Sequence, residues 1–394
     1  MSRMNAANRD YASRLQEIVA VKKVGDYEKS SVSDAIEEIF SCCQANEISF
    51  KSSRVVIKPN LVMKSKPEEA VVTDPSIISA IIDYLIKKEV KSIVICDSPG
   101  GLYNRNRLKS IYEAAGYLKF ENEIVKLNYD TESEEIPSPS SKVSCFDIIK
   151  PILEADIFIN VAKLKTHAMA GLTAAVKNNF GTVPGLRKSE FHCTFPKRID
   201  FCDMLVELCT LVSPEISIVD GVLGMEGNGP SGGIPRKFGI IAGSRNPFLL
   251  DRVLCEYMGM NVKDALTVKS SIGAGFCPRE VKEINIEGDI RFPGKFVKDL
   301  IIPESVESDF SVRVPKPFRS IAKKVLDSLA ARPIIDSKKC IGCRMCHEIC
   351  PAKVISMVDK KAVIDKKECI RCFCCHEVCP ERAIDIKRSF FWRI

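Results

Sequence analysis

The sequence predicts an α/β protein: a domain on a mostly parallel sheet, followed by a small cysteine-rich C-terminal module. Two observations carry that expectation. From residue 54 to about residue 287, short apolar runs alternate with segments of helical period, the pattern of strands joined by helices. Near the C-terminus a twelve-residue cysteine pattern occurs twice, 29 residues apart.

Residues 55–57, 92–96, 157–159, 216–219 and 238–242 are short and apolar, as buried strands are. Between them, residues 75–88, 107–115, 199–212 and 247–257 repeat apolar side chains every three and four positions, which places one stripe of a helix on a core. The first of these helices has a proper start. Thr73 or Asp74 can cap its free N–H groups, and Pro75 sits in the first turn, where no N–H is needed. Residues 288–335 carry prolines at 293, 303, 315, 317 and 333 without clean periodicity and read as a connection. The chain thus divides into an α/β domain at 1–287, a connecting segment at 288–335 and a module with its tail at 336–394.

Cys340-x2-Cys343-x2-Cys346-x3-Cys350-Pro351 and Cys369-x2-Cys372-x2-Cys375-x3-Cys379-Pro380 are complete iron-sulfur ligand runs. Three thiolates at that spacing wrap one 4Fe-4S cube, and the fourth, before a proline, reaches across to the other. One cluster is therefore expected on Cys340, Cys343, Cys346 and Cys379, and a second on Cys369, Cys372, Cys375 and Cys350. Zinc needs a single closed tetrahedron and has no use for two interleaved sets. Residues from about 336 to 388 resemble the bacterial-type two-cluster ferredoxins. Cys374, beside a ligand position, reads as a spare thiol.

The formal charge is +7, and residues 336–394 hold 13 Lys/Arg against 8 Asp/Glu. Each oxidised cube with its thiolates adds about two negative charges, so the loaded chain falls to about +3. The basic residues then compensate the clusters, and no arginine-rich or aromatic-interleaved stripe points to nucleic acid. Eight of the eighteen cysteines are taken by the two runs and the rest are scattered, the usage of a reducing cytosol. The first residues lack an apolar core with a cleavage site, and no stretch reaches the roughly 18 apolar residues of a membrane span, so a cytoplasmic location is expected.

Four of the expected strands lead into polar, turn-rich sequence: Lys58-Pro59-Asn60, Asp97-Ser98-Pro99-Gly100-Gly101, Asn160 with Lys163-Leu164-Lys165-Thr166-His167, and Asp220-Gly221. Ligands of open α/β sheets bind beyond the carboxyl ends of the strands, so these segments are expected to converge on one cleft. Asp, Asn and Gly also make turns and caps, which explains any single one of them. Residues 163–198 are densest in chemistry, with Lys163, Lys165, Lys177, Arg187, Lys188, Lys197 and Arg198 against the single acid Glu190, and with His167 and His192. Such a pocket suits a phosphate, a carboxylate or a flavin-like anionic cofactor. Lys177 stands alone in a compact apolar stretch, the setting of a lysine that pairs an anion or works with a lowered pKa. The glycine-rich stretch from Asp220 to Gly233, with Gly227 and Gly229, fits either a surface loop or a backbone that closes on a ligand, and it matches neither a Rossmann nor a Walker pattern. Lys58, Asn60, Asp97, Lys163, Lys165, Asp220, Gly227 and Gly229 are thus candidate binding residues; His167, Lys177 and His192 are candidate catalytic residues.

In combination, Lys58-Pro59-Asn60-Leu61-Val62, Asp97-Ser98-Pro99-Gly100, Lys163-Leu164-Lys165-Thr166-His167, Lys177-Asn178-Asn179-Phe180-Gly181 and Asp220-Gly221 through Gly229-Pro230 resemble the family catalogued as domain of unknown function 362, over about residues 50 to 280. The resemblance implies a redox-associated cytoplasmic protein, often with a ferredoxin module, and supplies no substrate. A second resemblance is narrower. His167, Lys177 and His192 stand in the order and approximate spacing of the residues that hold the nickel-pincer cofactor of lactate-racemase-type enzymes, although Ala175-Val176 replaces that family's glycine pair and the following Pro-Gly is shifted.

Three functions fit these features. The first is an iron-sulfur oxidoreductase that passes electrons through two clusters to a substrate or cofactor in the basic cleft, with a histidine as proton donor. The second is an electron carrier or adaptor that docks a redox partner protein, for instance through Phe390-Phe391-Trp392, and catalyses nothing itself. The third is isomerase-like chemistry at a metal centre. Partners expected are a redox protein or a small anionic substrate, with no nucleic acid and no membrane span. An additional flavin-like cofactor or metal stays open.

Overall fold

The computed structural model describes residues 10–138, 142–290, 292, 294, 296–305 and 330–387. Strands appear in the order β1 (Val19–Lys23), β2 (Arg54–Lys58), β3 (Ser92–Ile95), β4 (Val125–Leu127), β5 (Ser133–Pro137), β6 (Cys145–Ile149), β7 (Ile157–His167), β8 (Gly171–Thr173), β9 (Ile216–Glu226), β10 (Ile234–Ser244) and β11 (Ile286–Gly288). All but the β5–β6 hairpin form one sheet in the order β11-β1-β10-β9-β7-β2-β3-β4, with β8 on the side of β7. The stretch β4-β3-β2-β7-β9 is parallel throughout, and antiparallel pairing is confined to β10 with its neighbours and to β8. Helices on both faces explain why its strands are apolar to both sides. Apolar clusters built on Ile36, Ile57 and Ile81 and on Ala162, Phe248 and Leu254 fill those faces.

The expected helices form at Pro75–Lys87, Arg105–Ala114, Arg198–Val212 and Pro247–Tyr257. The first is capped by Asp74, whose side chain accepts from Ser76 N. Strand lengths differ from the sequence reading. β7 and β9 run eleven residues each and carry Lys163, Lys165, His167 and Asp220 inside the sheet, where a loop beyond each strand was expected. A shift in register between Lys163 and Lys165 lets β7 keep its pairing with β9 past Asp220, and β10 extends β9 as an antiparallel partner.

The chain goes from β2 to β3 on one side, while β7 lies on the other side of β2. That reversal of direction opens a crevice at the carboxyl ends of β2 and β7.

The C-terminal module pairs β12 (Arg332–Ile335) with β15 (Ile384–Lys387) and β13 (Ile355–Val358) with β14 (Lys361–Ile364), and adds the short helices Met345–Ile349 and Cys374–Val378. Its first strand lies in the stretch expected to be connection, because Pro333 is tolerated on a two-stranded edge. Pro315, Pro317 and Phe390–Trp392 lie outside the described residues. Phe373 and Ile386 of the module share one apolar cluster with Val56, Cys96, Phe146, Phe180 and Phe201, so the module sits on the α/β domain.

Candidate functional site

The crevice begins at the end of β2. Lys58 Nζ lies 2.8 Å from Asp97 Oδ1, both side chains are fully buried or nearly so, and the ammonium also donates to Pro59 O and to Asn178 Oδ1. Asp97 Oδ2 accepts from Leu61 N at 2.7 Å. A Cβ on Gly181 would stand 2.0 Å from Asp97 Oδ1 and 2.6 Å from Lys58 Nζ, so the chain needs glycine where it crosses this pair.

Lys177 sits on the one-turn helix Ala175–Asn178. Asp251, buried in the helix Pro247–Tyr257, accepts from Ala175 N at 2.7 Å and Val176 N at 3.1 Å and fixes the start of that turn. Asn178 Nδ2 donates to Asn160 Oδ1 at 2.8 Å and ties the turn to β7. Among the described residues the Lys177 ammonium has neither a hydrogen bond nor an ion pair; it stands 4.7 Å from the centre of the Phe180 ring. Burial pushes its pKa down. Lys188 donates to Ser98 O, Ser98 Oγ and Pro99 O, and burial lowers its pKa to about 7.

His167 ends β7. Its Nδ1 accepts from Met169 N at 3.0 Å and Ala170 N at 3.3 Å, so the neutral ring carries its hydrogen on Nε2. Burial, with Lys177 and Lys165 adding to it, holds its pKa well below the ordinary histidine value. His192 stacks on Phe201 at 4.3 Å, and burial pushes it down to about 3. Burial thus disfavours the charged form of both rings.

These groups line one open cavity of about 690 Å³, and its far wall is the module: Ile349, Cys374, Glu377 and Val378 face Lys58, Asn60, Ser98, His167, Lys177 and His192. Glu377 Oε1 lies 3.4 Å from His167 Nε2, and burial raises its pKa against the opposing pull of Lys177. The module is seated by the loop between β9 and β10. His376 Nε2 meets Asn228 O at 2.8 Å, Ser231 Oγ donates to Glu377 O at 3.1 Å, and Asn228 Nδ2 donates to Ile386 O at 3.1 Å. Arg382 and Glu69 add an ion pair of 2.8 Å. Among the described residues, His167 Nε2, Thr173 Oγ1, His192 Nδ1 and Glu377 Oε1 are buried without hydrogen-bond partners, although an unmet polar group costs on the order of 1–3 kcal/mol.

Of the residues singled out in the sequence, Lys58, Asn60, Asp97, His167, Lys177 and His192 share the cavity. Lys163, Lys165, Asp220, Gly227 and Gly229 do not line it. Lys163 Nζ is 2.7 Å from Asp220 Oδ2 and 2.8 Å from Tyr27 OH, a closed buried pair. Lys165 stands behind Asn60, donating to its Oδ1 at 2.6 Å and to Val71 O at 2.9 Å. Gly227 and Gly229 belong to the loop that seats the module; Gly229 O accepts from Ala168 N, and a Cβ there would strike Thr166 O at 2.1 Å. Thr173, Lys188, Cys374 and Glu377 were not foreseen as site residues. Lys188 was one cation in a basic row, and Cys374 and Glu377 sit among the cysteine runs with nothing in the sequence to join them to Lys177.

Two further hollows lie in the module. Cys340, Cys343, Cys346 and Cys379 line one of about 370 Å³, and Cys350, Cys369, Cys372 and Cys375 line one of about 320 Å³. Among the described residues no three His, Cys, Asp or Glu side chains converge on a single-ion site. Four thiols around an apolar hollow fit a 4Fe-4S cube.

The chain is 29% identical over 250 residues to the thylakoid-associated protein sll1697 of Synechocystis, an alignment covering 63% of this chain and 74% of that one. Two solved structures overlap it more loosely. One is a protein of Thermotoga maritima, with a TM-score of 0.34 and 11% identity over 54% of this chain and 55% of the other. The second is the lactate racemase apoprotein of Thermoanaerobacterium thermosaccharolyticum, with a TM-score of 0.35 and 16% identity over 61% and 56%. The chain thus spans little more than half the length of either solved structure. Among the described residues no helix is long and apolar enough to cross a membrane. Residues 332–380 match the 4Fe-4S dicluster domain, which makes this an iron-sulfur protein, and with residues 55–256, about half of the chain, matching the domain of unknown function (DUF362), the protein belongs to that family.

Proposed function

We propose that the protein delivers electrons from two 4Fe-4S clusters to a small molecule held in the cavity between the sheet and the module. The ligands in this reading are Cys340, Cys343, Cys346 and Cys379 for one cluster and Cys369, Cys372, Cys375 and Cys350 for the other. The observation that carries it is the position of Cys374 and Ile349. Both line the cavity with Lys177 and His167, and each is the chain neighbour of a cysteine of the second hollow, Cys375 and Cys350. The second set is therefore the one nearer the bound molecule.

When bound, the clusters supply low-potential single electrons, two in sequence from a pair. The residues of the chain do the rest. Lys177 holds negative charge, and His167 offers a hydrogen from Nε2. The module wall covers one side of the cavity, and the lower local dielectric strengthens both contacts. Two electrons added to a carbon centre call for two protons. Lys188, with its pKa lowered to about 7, is able to release one near neutral pH, and burial shifts Lys177 in the same direction.

His167 weighs against metal-centre isomerase chemistry. A ligating imidazole donates through its other nitrogen, whereas Nδ1 here accepts two backbone N–H groups and leaves the hydrogen on the cavity side. A carrier without catalysis gives no reason for four unpartnered polar atoms in one cavity. All eighteen cysteines are unpaired, as in a reducing compartment, which supports a cytoplasmic location with electrons arriving from a redox partner protein.

The test is reoxidation of anaerobic, dithionite-reduced holoprotein by acrylate, fumarate and pyruvate, followed near 400 nm. At least one should reoxidise the wild type, and Lys177→Ala should slow it by roughly 10- to 100-fold at unchanged iron content, the scale of a lost charged hydrogen bond. Equal rates in the two proteins would return the chain to the carrier reading.

A further inference from the structure

We infer that the cavity is a binding site for a small monocarboxylate, held by the Lys177 ammonium, the His167 Nε2 hydrogen and the Thr173 hydroxyl. This names the substrate class of the electron-delivery reading and rests on it for the ligand's role as substrate, while the binding itself stands on separate observations.

The first is the set of unmet groups. His167 is 1% exposed and Thr173 3%, yet among the described residues neither His167 Nε2 nor Thr173 Oγ1 has a hydrogen-bond partner. Among the described residues the Lys177 ammonium has neither a hydrogen bond nor an ion pair, and the Phe180 ring lies 4.7 Å from it. All three can donate. His167 is fixed as a donor by the two amides on Nδ1, lysine has no acceptor, and threonine can turn its hydroxyl. Their common complement is a ligand with two or more acceptor oxygens.

The second is the count of charge. Lys58 is neutralised by Asp97 at 2.8 Å, and Lys188 is spent on the oxygens of Ser98 and Pro99. Neutral oxygens leave the charge of Lys188 in place, so Lys177 and Lys188 stand against the one carboxylate of Glu377, and the cavity as it stands asks for one negative charge. A second would face Glu377, whose Oε1 is 3.4 Å from the same His167 nitrogen. A phosphate dianion is therefore penalised where a carboxylate is not. The remaining walls decide the rest of the ligand. Val62, Phe180, Ile349 and Val378 are apolar and offer a short hydrocarbon body no hydrogen bond.

The experiment is calorimetric titration of the oxidised holoprotein with crotonate, with inorganic phosphate and with n-butylamine, at fixed ionic strength. Crotonate should bind at least tenfold more tightly than phosphate, and butylamine should not bind. Lys177→Met, which keeps the length of the side chain, should weaken crotonate at least thirtyfold, and Thr173→Val severalfold, with iron content and cluster absorbance unchanged. Phosphate affinity equal to that of crotonate, or full crotonate affinity in both variants, overturns the assignment. Crotonate binding that depends on Lys177 while no carboxylate reoxidises the clusters would sink the electron-delivery reading and leave the carboxylate site standing.

Discussion

His167 Nε2 and Glu377 Oε1 face each other at 3.4 Å across the boundary between the α/β domain and the module, and among the described residues neither atom is hydrogen-bonded. A carboxylate so placed opposes any anion drawn in by Lys177. Glu377→Gln keeps the shape and removes the charge. At pH 8 it should tighten crotonate by roughly three- to tenfold, the scale of one like charge a few ångströms away in a partly solvated site. Titration of the variant under the same conditions checks this, and unchanged affinity would mean that the glutamate is neutral or remote from the anion.

The crossed arrangement of cysteines has a consequence for loading. Cys350 lines the hollow of Cys369, Cys372 and Cys375, not that of its own run. Cys350→Ser should drop iron from about eight to about four per chain and spare the cluster on Cys340, Cys343, Cys346 and Cys379. Cys379→Ser should do the reverse. Metal analysis with electron paramagnetic resonance of the reduced protein separates the two clusters, and damage confined to each mutated run's own cube would refute the crossing.

Gly181→Ala would place a methyl group 2.0 Å from Asp97 Oδ1 and 2.6 Å from Lys58 Nζ. Parting a fully buried pair leaves charges without partners, at a cost of about 3–5 kcal/mol. A fall in Tm of many degrees, with iron content retained in the folded fraction, is the expected result. A substitution on the solvent side, such as Lys51→Ala, should leave Tm nearly unchanged.

The backbone elements that the sequence revealed are those whose signal is local. Residues 55–57 and 92–96, or the stripe from Pro75 onward, carry their apolar pattern in adjacent positions. The second halves of β7 and β9 were hidden because a strand containing Lys163, Lys165 and Asp220 does not look buried until Lys163 meets Asp220 and Lys165 meets Asn60. Lys177 stood out as a single lysine in an apolar stretch. Lys188 did not, because a cation that donates to the carbonyls of Ser98 and Pro99 has the same sequence context as a solvated one. Glu377 was beyond reach of sequence reasoning, since its meeting with His167 is made only by docking two parts of the chain.

Burial pushes Asp251 up to about 7, against the two amides of Ala175 and Val176 that favour its charged form. A carboxyl whose folded pKa is raised contributes stability that is fully present below its unfolded value near 3.8 and is lost as pH rises through about 7. The wild type should therefore lose a few kcal/mol relative to Asp251→Asn between about pH 4 and pH 7. Anaerobic denaturant melts from pH 5.5 to 8 should show this as a sloping difference between the two proteins; a flat difference would place the carboxyl's titration elsewhere.

Ile349, Cys374, Glu377 and Val378 belong to a module whose cysteines surround two hollows, and small metal-built domains of that kind do not hold their shape before the metal arrives. Until iron and sulfide are inserted, the crevice beside β2 and β7 lacks its fourth wall, and Lys177 stays open to water, where a lone ammonium holds small anions poorly. Maturation of the protein is then ordered. On the electron-delivery reading proposed above, a freshly synthesised chain would not sequester a molecule it could not yet reduce, and competence to bind would arrive together with competence to donate electrons.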